Sequence, residues 1–333
     1  MKKIEIGKSG IEATRVALGT WSMGGDAQWG AQDDSISLKA IHSAVEHGIN
    51  TIDTAPAYGF GYSEKLIGKA IKEMPREKLV IQTKCGFWWR DDEGAVIIER
   101  DGKVCRRNLS RRAIMIDVEE SLKNLGTDYI DVYITHHQAR EPFLVPVEET
   151  MDTLLELKKQ GKIRAIGISN CSREEIDHYL SCGPVDVLQE RFSMLDQDKV
   201  NNYISLCEKN GITFEAFSPL EQGLLTGKVG MDYEVPKGNL RNNIRWYQKE
   251  KRQLVVDMLD GWKDLLEKYQ CNQANLTVAW TLKKAENLLV LGGGRKEHHV
   301  LDYIKGGGIE LSDEDKARMD RDIEKVLRLE KEA

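Results

Sequence analysis

The stretch NTIDTAPAY, residues 50–58, decides the fold when it is read with LVIQTKC at 79–85 and IDVYITHH at 130–137. Each begins as a short run rich in Val, Ile and Thr and ends on polar residues: Asp53 and Tyr58 in the first, Lys84 in the second, His136 in the third. A strand end aims a side chain out of the sheet, and in a closed parallel barrel such ends converge on one rim, where barrel active sites are built. These four residues are the candidate catalytic set.

Working outward, the same two-beat unit recurs. Strand runs at 15–19, 50–55, 79–85, 130–136, 164–169, 186–192, 213–218 and 288–292 alternate with amphipathic stretches such as SEKLIGKAIKEM (63–74) and RRAIMIDVEESLKNLG (111–126). The amphipathic stretches close on a Gly or a Met-Pro stop, as helix C-termini do. Eight strands alternating with helices predict an α/β fold, the (β/α)8 TIM barrel, as a single domain over residues 1–333. Three segments fall outside the repeat. Residues 3–14 read as a hairpin around GKSG that closes the lower end of the barrel, and residues 86–110 as a long loop carrying FWWRDDEG. The third, residues 239–271, adds a helix in VVDMLDGWKDLLEKYQ (255–270), and Ser312 then caps a charged terminal helix packed on the barrel wall.

A net charge of −6 and a pI near 5.8 give no basic field for nucleic acid or an anionic membrane surface. No window reaches the roughly 20 apolar residues of a membrane helix, and the N-terminus does not read as a signal peptide, so a cytoplasmic protein is expected. Six scattered cysteines with no CxxC pair argue against disulfides or structural zinc, and Cys85 beside Lys84 reads as inert filling. The adjacent pairs His136–His137 and His298–His299 are expected to diverge and to hold no metal.

The chemistry follows from the residue types. A phenol with a reference pKa of about 10 is a reluctant acid or base at neutral pH. A nearby ammonium favours the phenolate, and a carboxylate can hold that ammonium in place. Tyr58, Lys84 and Asp53 supply the three parts, and His136 can direct a substrate carbonyl by hydrogen bonding.

In this arrangement the chain resembles the aldo-keto reductases from end to end, most closely a bacterial branch that reduces small aldehydes, including methylglyoxal and sugar-derived carbonyls. The likeness is carried by GTWSMGG (19–25), DTAPAYG (53–59), TKCG (83–86), GKIRAIGISN (161–170) and FSPLEQGLLTGK (217–228), in order. It implies hydride transfer between a nicotinamide cofactor and a carbonyl, with Tyr58 as general acid. By the same resemblance Ser169, Asn170 and Gln189 bind the nicotinamide carboxamide, and Phe217, where relatives usually have Tyr, stacks on the ring. Ser218, Leu220, Gln222 and Gly223 cradle the pyrophosphate. Gly19, Thr20, Trp21 and Gly293 complete the cofactor contacts. His299 and Tyr303 stand where relatives commonly have Gln or Arg and Asn, a departure at the adenosine end.

Arg295 and Lys296 precede a predicted helix and are suited to a 2′-phosphate, so NADP(H) is the expected cofactor, with NAD(H) as the alternative. His137 replaces the family's usual Trp and makes the pocket more polar, while Trp21, Trp88, Trp89 and Arg90 are further candidates for its lining. The cationic stretch NLRNNIRWYQKEK (239–251) reads as a solvated face, with a neighbouring subunit or the cofactor as alternatives. Oxidation of a sugar or polyol needs the same residues. A cofactor-binding regulatory subunit with slow turnover is a second class, and Schiff-base chemistry at Lys84 a third. The expected partner is a small carbonyl substrate, and a homo-oligomer is compatible with the family.

Overall fold

Period-two alternation along the strands sorts their side chains between two cores, and that sorting builds the fold. The computed structural model describes residues 1–25, 29–30, 32–197 and 200–332. In chain order the strands are β1 (Lys3–Glu5), β2 (Glu12–Thr14), β3 (Val16–Gly19), β4 (Thr51–Asp53), β5 (Val80–Cys85), β6 (Phe87–Trp88), β7 (Ala95–Arg100), β8 (Lys103–Arg107), β9 (Ile130–Thr135), β10 (Ile163–Ser169), β11 (Val187–Arg191), β12 (Thr213–Phe217) and β13 (Leu288–Gly293). Eight of them, all parallel, close into a barrel in the order β10–β11–β12–β13–β3–β4–β5–β9. Helices alternate with the barrel strands, so the (β/α)8 fold is as expected.

One set of strand residues, including Ile52, Ile81, Tyr133, Leu188, Phe214 and Val290, packs outward against the helices. The alternate set, including Ala17, Val80, Val132, Val187 and Leu289, packs inside the barrel with Ile6, Ile11 and Ala13 of the β1–β2 hairpin. The hairpin therefore plugs the lower end with apolar side chains, and Thr213 Oγ1 ties it down by accepting from Gly7 N at 2.9 Å and donating to Glu5 O at 3.1 Å.

The segment after β5 differs from the expected long loop. It folds into a three-stranded antiparallel sheet in the order β6–β8–β7. Its turn is Asp101–Gly102, both with positive φ (51° and 73°). That is the Asp-Gly signature of a two-residue hairpin, a signal present in the sequence itself. Near the C-terminus, the expected extra helix is two, Lys249–Asp260 and Lys263–Lys268.

The terminal helix, Asp313–Glu332, starts at Ser312, whose Oγ accepts from Asp315 N at 3.2 Å. It buries Met319, Ile323 and Val326 and is fastened by indole N–H groups, Trp280 to Asp320 at 2.8 Å and Trp262 to Asp322 at 2.9 Å. Trp280 also stacks on Phe192, with ring centroids 5.8 Å apart, so one side chain joins the helix to the layer around the barrel. Trp280→Ala is expected to cost about 3–5 kcal/mol through the lost burial and the cavity left behind, read as a lower urea midpoint with an unchanged slope.

Candidate active site

The inward alternation of β4 and β5 puts Asp53 and Lys84 on the interior at the upper rim, where the two strands are paired with Asp53 opposite Gln82. Both are almost fully buried. Lys84 Nζ donates to Asp53 Oδ2 at 2.7 Å, to Thr54 O at 2.8 Å and to Tyr58 OH at 3.2 Å. Tyr58 follows β4 on a turn whose next residue, Gly59, has φ +66° and lies so close to Gly24 that a Cβ there would sit 1.9 Å from the Gly24 carbonyl oxygen. Only glycine permits that approach, and it holds the tyrosine over the lysine. The His136 ring stands edge-on to Tyr58 at 6.0 Å between centroids. All four candidate catalytic residues therefore meet at one place.

Their electrostatics follow from burial. The Tyr58 phenol is pushed up to about 12, because burial outweighs the opposing pull of Lys84. The phenol therefore stays protonated at neutral pH, where the residue types alone suggested a phenolate favoured by lysine. Burial works against the Lys84 ammonium, but Asp53 and Tyr58 reverse that, and its pKa lies above the usual value. His136 is held well below the imidazole range, first by burial and then by His137, Lys84 and Arg100. It is neutral.

Tyr58 and Asp53 open onto a cavity of about 720 Å³. His136, His137, Ser169, Asn170 and Gln189 line it on one side, and Trp21 and Gly19 on another. Phe217, Ser218, Leu220, Gln222 and Gly223 form a third wall, and Gly293, Arg295, His299 and Tyr303 the far end. Thr20 and Lys296 are not on the wall. Thr20 is fully buried behind it, donating to Asp53 O at 2.8 Å. Trp88, Trp89 and Arg90 are likewise absent from the lining. Trp88, on β6, is buried with its indole donating to Asp91 Oδ1 at 2.5 Å, Trp89 packs on Phe60 and Phe87, and Arg90 is drawn to Asp117 at 2.8 Å. The sheet instead contributes Phe87, Ile97, Ile98 and Arg100. Alternation within an insertion could not be read without knowing that it is a sheet.

The two histidine pairs do not diverge. His136 and His137 stack with centroids 4.9 Å apart and planes 6° apart, because β9 ends at Thr135 and the strand rule lapses beyond it. His298 and His299 touch edge-on at 4.3 Å, at the first turn of the helix Glu297–Gly307. Cys85 is buried, and burial holds its thiol well above the usual range, which makes it a poor nucleophile.

The solvated face expected for residues 239–251 does not hold at Arg241, which is on the side of the cofactor alternative. It lines the cavity, donates from Nε to Gln222 O at 2.8 Å and lies over the Trp29 ring at 5.7 Å. Beside it Ser218, Glu221, Gln222 and Gly223 all have positive φ. The bend is tied by its own backbone, Glu221 N donating to Ser218 O at 3.1 Å and Gly223 N to Leu220 O at 2.9 Å. The buried Gln222 Oε1 has no hydrogen-bond partner. A long cavity with a polar, strained cradle and two arginines toward one end, and a phenol–ammonium–carboxylate chain at the other, fits a nicotinamide dinucleotide.

Residues 15–324 match the Aldo/keto reductase family. An "NADH-specific methylglyoxal reductase" of Escherichia coli (strain K12) is 42% identical over 96% of this chain and 97% of its own. An "aldo-keto reductase yakc [NADP(+)]" of Schizosaccharomyces pombe is 27% identical over 89% of this chain and 85% of its own. Among solved structures, the glycerol dehydrogenase of Gluconobacter oxydans superposes with a TM-score of 0.88 at 32% identity, covering 98% of this chain and 96% of that one.

The buried ion pair makes a prediction independent of any activity. Lys84→Met leaves Asp53 charged without its cation and is expected to destabilise the fold by about 3–5 kcal/mol. Adding Asp53→Asn should recover most of that loss, and thermal or urea melts of the single and double variants give the coupling.

Proposed function

Because the chain belongs to the aldo/keto reductase family, we propose that it reduces small polar aldehydes to alcohols, with Tyr58 as the general acid. The observation that carries this reading is the chain of contacts from Asp53 through the Lys84 ammonium to the Tyr58 hydroxyl, 2.7 and 3.2 Å, at the floor of the cavity. When bound, the nicotinamide dinucleotide supplies the hydride. Tyr58 gives its phenolic proton to the carbonyl oxygen, and Lys84 stabilises the phenolate left behind. Asp53 keeps the ammonium charged and aimed. His136 is neutral, and its Nδ1 is buried without a partner, so Nε2 is the nitrogen that reaches the substrate oxygen.

Gln189 commits its Nε2 to Asp53 at 3.1 Å, which leaves its Oε1 to accept from the nicotinamide carboxamide. Phe217 offers a ring face, and the Ser218–Gly223 cradle with Arg241 takes the pyrophosphate. His137 and Arg100 keep the substrate end polar, in line with the small polar substrates named for the E. coli and Gluconobacter relatives. The glycerol dehydrogenase also favours a second reading, the same site run in reverse to oxidise a polyol.

NADPH is the proposed cofactor, with NADH accepted. Arg295 alone of the two expected cations is on the wall, and its Nη1 already donates to Trp29 O at 2.9 Å, so the discrimination is modest. One relative is named for NADH and another for NADP(+). We expect Arg295→Ala to raise KM for NADPH about tenfold and leave that for NADH unchanged. Equal effects on both would remove Arg295 from the 2′-phosphate.

The central test adds NADPH or NADH to the protein with methylglyoxal, short aldehydes and aldoses, following cofactor absorbance. Tyr58→Phe should lower kcat by about 10²–10⁴ while dinucleotide binding, measured by fluorescence titration, persists. Undiminished turnover in this variant would remove Tyr58 from the chemistry. A borohydride-trapped adduct at Lys84 would replace the whole reading with Schiff-base chemistry.

A further inference from the structure

A second carboxyl group lies inside the barrel beneath the catalytic floor. Glu215 on β12 faces inward, is fully buried and sits opposite Gln189 in the β11–β12 pairing. It does not meet Asp53 directly. Two amides join them: Gln82 Nε2 lies 3.1 Å from Asp53 Oδ2 and 2.8 Å from Glu215 Oε2. Gln189 Nε2 repeats the same pair of distances. Asp53 Oδ2 also receives Lys84.

The charges and the protons in this cluster do not balance as drawn. The charged groups facing Glu215 are Asp53 on β4 and Lys84 on β5, with the Tyr58 hydroxyl beyond them. Its neighbours in the barrel wall present an uncharged amide, Gln189 on β11, and an apolar side chain, Leu289 on β13. Two carboxylates against one ammonium would leave a net negative charge in an almost fully buried site, which is costly. Glu215 Oε1 and Gln82 Oε1 are moreover both buried acceptors without a donor. One added proton addresses both problems. On Glu215 Oε1 it cancels the surplus charge, satisfies that oxygen and creates a donor in the same cluster as the bare Gln82 oxygen.

We propose that Glu215 carries a proton in the working enzyme and is a positioning residue of the reaction, keeping Asp53 the sole anion that Lys84 faces while Tyr58 gives up its proton. Burial, against the Gln189 hydrogen bond and with the Asp53 charge, pushes the Glu215 carboxyl up to about 7. Ionising it adds a negative charge behind Lys84. That charge opposes the phenolate which reduction leaves on Tyr58, so reduction slows as pH rises through this range. The phenol itself remains protonated there. This inference rests on Tyr58 being the acid.

The test compares kcat against pH for wild type and Glu215→Gln, with Glu215→Met as a second neutral variant should the first fail to fold. Wild type should lose about tenfold in kcat across a single alkaline titration, which either neutral variant lacks whatever its amplitude. In infrared difference spectra of wild type minus variant, a carboxylic-acid C=O band should be present on the acid side and vanish over the same range. An alkaline fall kept by a folded neutral variant, or no such band in wild type, overturns the proposal. Should wild type reduce no carbonyl, the reading of Tyr58 as acid fails instead, and the infrared band still decides where the proton is.

Discussion

An ammonium with almost no access to water is tolerable only if its charge is met at contact distance, and Lys84 is met by Asp53 and by the Thr54 carbonyl. The rest of the molecule is organised around keeping that contact. The two residues come from neighbouring strands, so the pair exists only when β4 and β5 are side by side and in register. The register holds because a slip of one residue would turn Asp53 and Lys84 out among the helices and bring Ile52 and Ile81 inside. The sealed apolar layers thus enforce the geometry of a charged one.

The barrel interior is divided along its axis. Its lower half is filled by Val80, Val132, Val187, Leu289 and the hairpin's Ile6 and Ile11, and its upper half by the hydrogen-bonded set Asp53, Gln82, Gln189 and Glu215. Burial in such a place changes the acid–base character of Tyr58, Glu215 and His136. It outweighs lysine at Tyr58 and keeps the phenol a proton donor. It also keeps His136 neutral. Proximity of charges, which residue types suggest, is therefore the lesser influence on the tyrosine, and exclusion of water the greater.

Much of this was legible in the chain. The ends of the strand runs NTIDTA and LVIQTKC mark Asp53 and Lys84 as rim residues. The Asp101–Gly102 turn was also written in the sequence, and it marks a hairpin within the segment after β5. Other features were not legible. The stacking of His136 on His137 depends on backbone that has left the strand, where alternation no longer applies. Arg241 reaches the cavity from an irregular segment with no periodicity to reveal which side chain turns in.

The sequence by itself determined the eight-strand alternation, the rim position of Asp53, Tyr58, Lys84 and His136, and the family, because all of these reside in local periodicity and short motifs. Only the tertiary structure decided that Gln82 and Glu215 join Asp53, that the sheet after β5 walls the cavity and that Tyr58 stays protonated. Those depend on which side chains face one another across a closed barrel and how completely water is shut out, and neither quantity is defined until the strands have closed.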